Sequence, residues 1–252
     1  MSERSILRLA GSEARSFLQG LITNDVEKLD DGMVYAAILT PQGKYLADFF
    51  LSAKDGAVLL DVAEPLAAML QQRLTMYKLR ANVEITATDL HVHRGLGDRP
   101  ADGFADPRHP EMGWRAYRDT PQTDDTVDWD ALRVQHLVPE TGVELTPDTF
   151  ILEAGFERLN GVDFRKGCYV GQEVTARMKH KTELRKGLAT VAVEGQAEVG
   201  APLLADGKAA GTIYPQSGGA GIAYLRFDRA KAPMEAEGAR VTWESTGQNT
   251  SN

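Results

Sequence analysis

The chain has 252 residues, 42% of them hydrophobic, which is enough to bury one large domain or two to three smaller ones and excludes disorder as the ground state. Its formal net charge of -8 excludes indiscriminate binding to nucleic acid, which depends on Lys and Arg releasing counterions from phosphates; a local basic face is still allowed. No apolar run reaches the roughly 20 residues that cross a bilayer, and Met1-Ser2-Glu3-Arg4 is not followed by the apolar stretch of a signal peptide, so a cytoplasmic protein without membrane contact is expected.

Along the chain, Ser12 suits an N-cap and Glu13 a first turn, with Phe17, Leu18, Leu21 and Ile22 forming the apolar face of a helix from about Glu13 to Ile22. Thr23-Asn24-Asp25 breaks the pattern. Met33 to Leu39 reads as a strand, Thr40-Pro41-Gln42-Gly43 as a turn and Tyr45 to Leu51 as the hairpin partner. Asp55-Gly56 turns the chain into a strand from Val58 to Val62, and Pro65 opens a helix that turns Leu66, Met69, Leu70 and Leu74 inward. Asn82 to Thr86 returns as strand. This succession predicts an α+β sheet covered on one face.

From Arg94 to Asp128 the composition shifts to Gly, Pro and Asp, which predicts a long connection with one strand at most and a candidate boundary. Helical spacing resumes through Trp129, Leu132 and His136 and ends at Val138-Pro139-Glu140. Beyond Arg185, the short runs Leu188 to Val193, Pro202 to Leu204, Ala209 to Tyr214 and Ile222 to Phe227 predict a small barrel or sandwich, with Asp206-Gly207 as one hairpin turn. The expected division is 1-184 as two interleaved α+β modules, the inner one at about 33-95, then 185-246 as the barrel and 247-252 as a disordered tail.

The single cysteine, Cys168, excludes an intrachain disulfide and cannot supply all the thiolates of a conventional iron-sulfur cluster. Any cluster here is shared with another protein or handled in passing. The histidines form neither an HExxH nor a Cys/His zinc pattern, so no metal site is assigned; His91 and His93 read as one face of a surface strand. Gly167 and Gly171 bracket Cys168 and let the backbone turn sharply into a helix through Lys179. There the helix dipole and the pair Arg165 and Lys166 favour a thiolate, while Glu173 opposes it, which predicts an accessible nucleophilic or ligand cysteine with a lowered pKa. Burial as a small hydrophobe beside Tyr169 and Val170 is the competing reading.

The run Leu159-Asn160-Gly161-Val162 through Lys166, Gly167, Cys168, Tyr169, Val170, Gly171, Gln172 and Glu173 resembles the signature of the YgfZ-type folate-binding proteins, whose mitochondrial relatives assist assembly of 4Fe-4S proteins. The resemblance extends to Phe17-Leu18-Gln19-Gly20 with Thr23-Asn24-Asp25-Val26, to Thr40-Pro41-Gln42-Gly43-Lys44 with Asp48, to Leu152-Glu153-Ala154-Gly155 and to the terminal β region. It covers nearly the whole chain. The cysteine octapeptide is specific to this group, whereas the other segments are shared with the wider superfamily of the glycine cleavage T protein.

The resemblance implies a GcvT-like cloverleaf around a central channel for tetrahydrofolate or a one-carbon derivative, closed on one side by the C-terminal β-barrel. It implies Asp48 and Glu153 as folate contacts, with Asp48 beside the reacting nitrogen; on pattern alone these are an ordinary strand residue and an exposed carboxylate. A thiol stands where aminomethyl transfer requires none. The implied function is therefore accessory: support of iron-sulfur proteins, including those that thiolate tRNA, with reduced folate and the assembly machinery as partners. An aminomethyltransferase-like one-carbon enzyme is the alternative. A tRNA-binding module using Arg177, Lys179, His180, Lys181, Arg185 and Lys186 is a third reading, set against a solvated helix end.

Overall fold

The computed structural model describes residues 3-181 and 183-244. Its first sheet is built from β1 (Arg4–Ala10), β2 (Val34–Leu39), β3 (Tyr45–Lys54), β4 (Ala57–Ala63) and β5 (Glu84–Ala87), in the spatial order β2-β3-β4-β1-β5. Every neighbouring pair is antiparallel. Helix α1 (Ala14–Gln19) follows β1, and α2 (Glu64–Tyr77) links β4 to β5 with Pro65 in its first turn.

The sheet is covered on both faces, which corrects the expectation of one covered face. Leu9, Ala36, Phe49, Leu51 and Leu60 pack with Leu18, Leu70 and Leu74 of the two helices. On the other face Tyr35, Ala37, Phe50 and Leu59 pack with Trp129, Val138, Phe156 and Leu159. The continuous apolar run of β2, buried at every position, is the pattern of a strand with two dry faces.

Helix α1 is shorter than its spacing predicts and is not capped by Ser12. Glu13 occupies the N-cap without a side-chain cap bond, while Ser12 Oγ accepts from Asn82 Nδ2. At the other end the chain leaves the helix because Thr23 N donates to Ala37 O of β2.

The stretch expected to be a long connection forms a second sheet instead. Strands β6 (His91–Gly95), β7 (Phe104–Ala105) and β8 (Trp114–Arg118) pair in the order β6-β8-β7. These strands are short, and His, Arg and Gly break any regular apolar alternation, which hides them among the glycines and prolines of the same stretch. Helix α3 (Trp129–His136) then ends at Leu137, held in the left-handed region at φ 52°.

Residues 137-171 run irregularly over the second face of the first sheet into α4 (Gln172–Lys181). Strands β9 (Lys186–Gly195), β10 (Pro202–Ala205), β11 (Lys208–Ser217), β12 (Ala220–Arg226), β13 (Met234–Ala236) and β14 (Ala239–Thr242) close a barrel around Val191, Leu203, Ile213, Leu225 and Val241. The last two strands are too short to register as sequence runs. The expected tail at 247-252 lies outside the described residues.

Candidate functional site

The cysteine segment is anchored on both sides of Cys168. Thr23 Oγ1 donates to Gly161 O at 2.7 Å, Asn24 Nδ2 to Asn160 O at 2.6 Å, and Asp163 N to Thr23 O at 3.0 Å. Asp163 Oδ1 in turn accepts from the backbone N-H groups of Arg165 and Lys166. Lys166 is buried, and its ammonium donates to Gln19 O and Ile22 O, both at 2.6 Å. Burial pushes its pKa down to about 8. Tyr169, also buried, is the second anchor, with the Lys166 Nζ 5.1 Å from its ring centroid.

Between these anchors Gly167 and Cys168 are exposed. The reading of Cys168 as a buried hydrophobe is overturned, because the polar ties of Asp163 and Lys166 and the burial of Tyr169 consume the inward-facing positions. The Lys166 ammonium is turned inward, onto the carbonyls of Gln19 and Ile22 at and just beyond the end of α1. Of the basic pair only Arg165 is exposed beside the cysteine, and Glu173 is exposed in the first turn of α4. Helix α4 starts at Gln172, whose N-H donates to Tyr169 O.

Asp48 is buried, which overturns the reading of an ordinary solvent-facing strand position. Its Oδ1 accepts from Tyr45 Oη and Thr141 Oγ1, each at 2.6 Å, and its Oδ2 accepts from Tyr35 Oη at 3.0 Å. Tyr35 reaches it from the neighbouring strand, diagonal to the Asp48-Ala37 pair on the same face. Tyr45 lies three positions away and would face the other side of a regular strand. A bulge at Leu46, where Leu39 pairs with Tyr45 and Ile38 with Ala47, turns it onto the Asp48 side. Burial, then the Asp48 charge, raises the pKa of both phenols, so they remain donors.

Asp48 shares a recess with Arg4, Arg108, Arg115, Arg133, Glu140 and Thr141. The guanidiniums are held by carboxylates: Arg4 and Arg115 by Asp61 at 2.6 and 3.2 Å, Arg108 by Asp106 at 2.8 Å, and Arg133 by Glu144 at 3.1 Å. Arg115 and Arg108 also lie 3.9 and 4.7 Å from the centroid of Phe50. Glu153 is half-buried and lies elsewhere. Its Oε2 accepts from Tyr224 Oη of β12 at 2.6 Å, and its backbone O accepts from Leu188 N of β9, so it joins the body to the barrel.

Neither Cys168 nor Glu153 lines the Asp48 recess. Sequence reasoning missed Tyr35, Tyr45, Thr141, Arg108 and Tyr224. Tyr45 is detectable only through the bulge, and Thr141 comes from an irregular loop, so no periodicity marks either one. Of the basic residues around α4, Lys179 is paired with Glu157 at 2.5 Å, and His180 meets the edge of Phe164. His93, on β6, has its Nε2 2.6 Å from Thr120 O.

Residues 185-247 match the CAF17 C-terminal beta-barrel domain. Over 278 aligned positions the chain is 32% identical to the mitochondrial iron-sulfur cluster assembly factor IBA57 of Mus musculus, covering 92% of this chain and 78% of that protein. The chain belongs to the IBA57 family. The human IBA57 protein is 30% identical, with coverages of 94% and 80%. The glycine cleavage aminomethyltransferase T of Bartonella henselae superposes with a TM-score of 0.77 at 14% identity, over 97% of this chain and 84% of that one, a likeness of fold. The expected GcvT-like α+β fold with its C-terminal barrel is therefore present. The cytoplasmic placement is corrected: the relatives are named as mitochondrial proteins and point to that compartment instead. Among the described residues no helix is long and apolar enough to cross a membrane.

Proposed function

We propose that this chain is an accessory factor of iron-sulfur protein assembly that works through the Cys168 thiol and holds a reduced folate near Asp48 and Glu153. The observation that carries the reading is the placement of the chain's one cysteine on an exposed turn between two buried anchors, Lys166 and Tyr169. A turn fixed on both sides presents a soft ligand to a partner at little ordering cost. One thiolate is too few to retain a cluster alone, so iron or a cluster handled at Cys168 is cargo shared with thiolates of a partner protein.

The folate reading is supported by the GcvT-like fold. The carboxylates of Asp48, in its recess, and of Glu153, at the barrel, would be the acceptors for N-H groups of a pterin ring. Tetrahydrofolate, when bound, supplies a reduced pterin able to carry a one-carbon unit. The chain's own part is to orient it: Tyr35, Tyr45 and Thr141 fix the Asp48 carboxylate, and Tyr224 fixes that of Glu153.

Paired complementation tests the reading. Cells depending on Cys168→Ala should lose 4Fe-4S enzyme activity and keep glycine cleavage. If Asp48→Asn abolishes glycine cleavage while Cys168→Ala leaves 4Fe-4S enzymes intact, the chain is an aminomethyltransferase-like enzyme and the accessory reading is wrong.

A further inference from the structure

The loop that delivers Thr141 to Asp48 is fastened from behind by one carboxylate. Helix α3 ends at Leu137, and Pro139, Glu140 and Thr141 then line the Asp48 recess. The turn that follows closes on itself: Val143 N and Leu145 N both donate to Glu140 O, at 3.2 and 3.1 Å, and Gly142 N donates to Leu145 O at 2.9 Å. These bonds set the shape of the turn but not its place over Asp48. Thr141 Oγ1 has to arrive 2.6 Å from Asp48 Oδ1 and 3.0 Å from Tyr45 Oη. Something outside the turn fixes it there.

Glu144 supplies that tie. Its side chain is fully buried, and its Oε2 accepts from Glu140 N at 2.8 Å and from Arg133 Nη1 at 3.1 Å, which joins the first residue of the turn to α3. The same Arg133 nitrogen donates to Val138 O at 2.9 Å. The Arg133 charge is already met by Asp130 and Glu140, each at 3.2 Å, so Glu144 is the third carboxylate on one guanidinium. Its Oε1 has no hydrogen-bond partner among the described residues, an unpaired buried oxygen that needs an explanation. Burial pushes the Glu144 carboxyl above the usual carboxylate range, against the pull of Arg133. What the turn uses is the reach of one acceptor oxygen rather than the charge.

We propose that Glu144 is the positioning residue of the Asp48 site: by accepting from Glu140 N and Arg133 Nη1 with one oxygen, it holds the 140-145 turn on α3 and keeps Thr141 Oγ1 on Asp48. It touches no ligand itself. A donor already held in place costs no ordering when Asp48 receives a ligand, whereas a loose turn would have to be fixed at that moment. The consequence for binding rests on the folate reading of Asp48, while the positioning stands on the geometry alone. Reach and charge separate in two conservative variants. Glu144→Gln keeps an oxygen for both donors and sets its amide nitrogen where Oε1 has no partner; Glu144→Asp keeps the charge but is one methylene too short to meet both donors.

Double-mutant cycles with Thr141→Val, read by urea unfolding of the full chain, test the positioning. Thr141→Val should lower the folding equilibrium constant about tenfold in the native and Glu144→Gln backgrounds and less than about twofold in Glu144→Asp. Tetrahydrofolate affinity by calorimetry should follow the same pattern: native and Glu144→Gln alike, Glu144→Asp and Thr141→Val each about tenfold weaker, and the double variant no weaker than either. Amide exchange at the Glu140 N-H needs no variant and should show protection in the native chain. An equal effect of Thr141→Val in all backgrounds, Glu144→Gln behaving as Glu144→Asp does, or an unprotected Glu140 amide overturns the proposal, and the last decides it even where Glu144→Asp does not fold. A native chain that binds no tetrahydrofolate would sink the folate reading, while the unfolding cycle and the amide exchange would still decide the role of Glu144.

Discussion

Gly43 and Gly171 are in backbone contact: a Cβ built on Gly171 would lie 3.2 Å from the Gly43 Cα and 2.6 Å from Thr40 O. Their contact seats the turn between β2 and β3 against the entrance of α4, and both residues have positive φ, 75° and 86°. Two separate segments of the sequence resemblance, Thr40-Pro41-Gln42-Gly43 and the cysteine octapeptide, thus meet in space.

Gly171→Ala should therefore destabilise the chain by about 1-3 kcal/mol, from left-handed strain and the clash with Thr40 O. Gly167→Ala should stay within about 0.5 kcal/mol, since a Cβ there meets nothing within 4 Å. Urea unfolding of the two variants separates the glycines that the sequence motif treats alike. Equal losses would contradict this assignment.

Lys166 predicts a pH dependence. Its folded pKa of about 8 lies below the ordinary 10.5 because of burial. Between those values the unfolded chain binds the extra proton, so stability relative to Lys166→Met should rise from about pH 8 to about pH 10.5 and level off above. Below pH 8 the difference should be flat. A stability difference that falls as pH rises through this window would show the sign to be wrong.

Asp48→Asn should cost about 1-3 kcal/mol, because an amide N-H2 replaces one of the two oxygens that together accept from three hydroxyls. Calorimetry with tetrahydrofolate should show binding to the native chain and its loss in this variant. Retained affinity in Asp48→Asn would remove Asp48 from the folate site.

Much of the fold was legible because its signals are local. The Val34 to Leu39 run, the Asp55-Gly56 and Asp206-Gly207 turns and Pro65 at the start of α2 each name an element by composition. The second sheet was not legible, since strands such as Phe104–Ala105 carry no periodicity and exist only by pairing with β8. At the site, Cys168 could be singled out because it is unique. Its exposure was expected from the flanking glycines and is found; what anchors the turn was not legible, since Lys166 reaches carbonyls of Gln19 and Ile22, 147 and 144 positions away. The hydroxyl cradle of Asp48 was hidden for the same reason: a bulge at Leu46 and a loop threonine assemble it.

Anaerobic reconstitution with iron and sulfide should leave the isolated monomer without a stable cluster, because Cys168 is its only thiolate. Visible absorbance and iron stoichiometry on a confirmed monomer check this. A stoichiometric cluster would show that non-thiol groups complete the ligand set.

The central claim is that the exposed thiol of Cys168 is what the chain works with. Cys168→Ser keeps the volume and removes the soft, ionisable sulfur, so it should fold with unchanged Tm and bind tetrahydrofolate as the native chain does. The deciding measurement is the specific activity of a 4Fe-4S enzyme in cells whose only copy of this chain is Cys168→Ser. Activity at the level of cells lacking the chain is predicted; activity equal to that of cells with the native chain would contradict the account and leave the cysteine turn with a structural role alone.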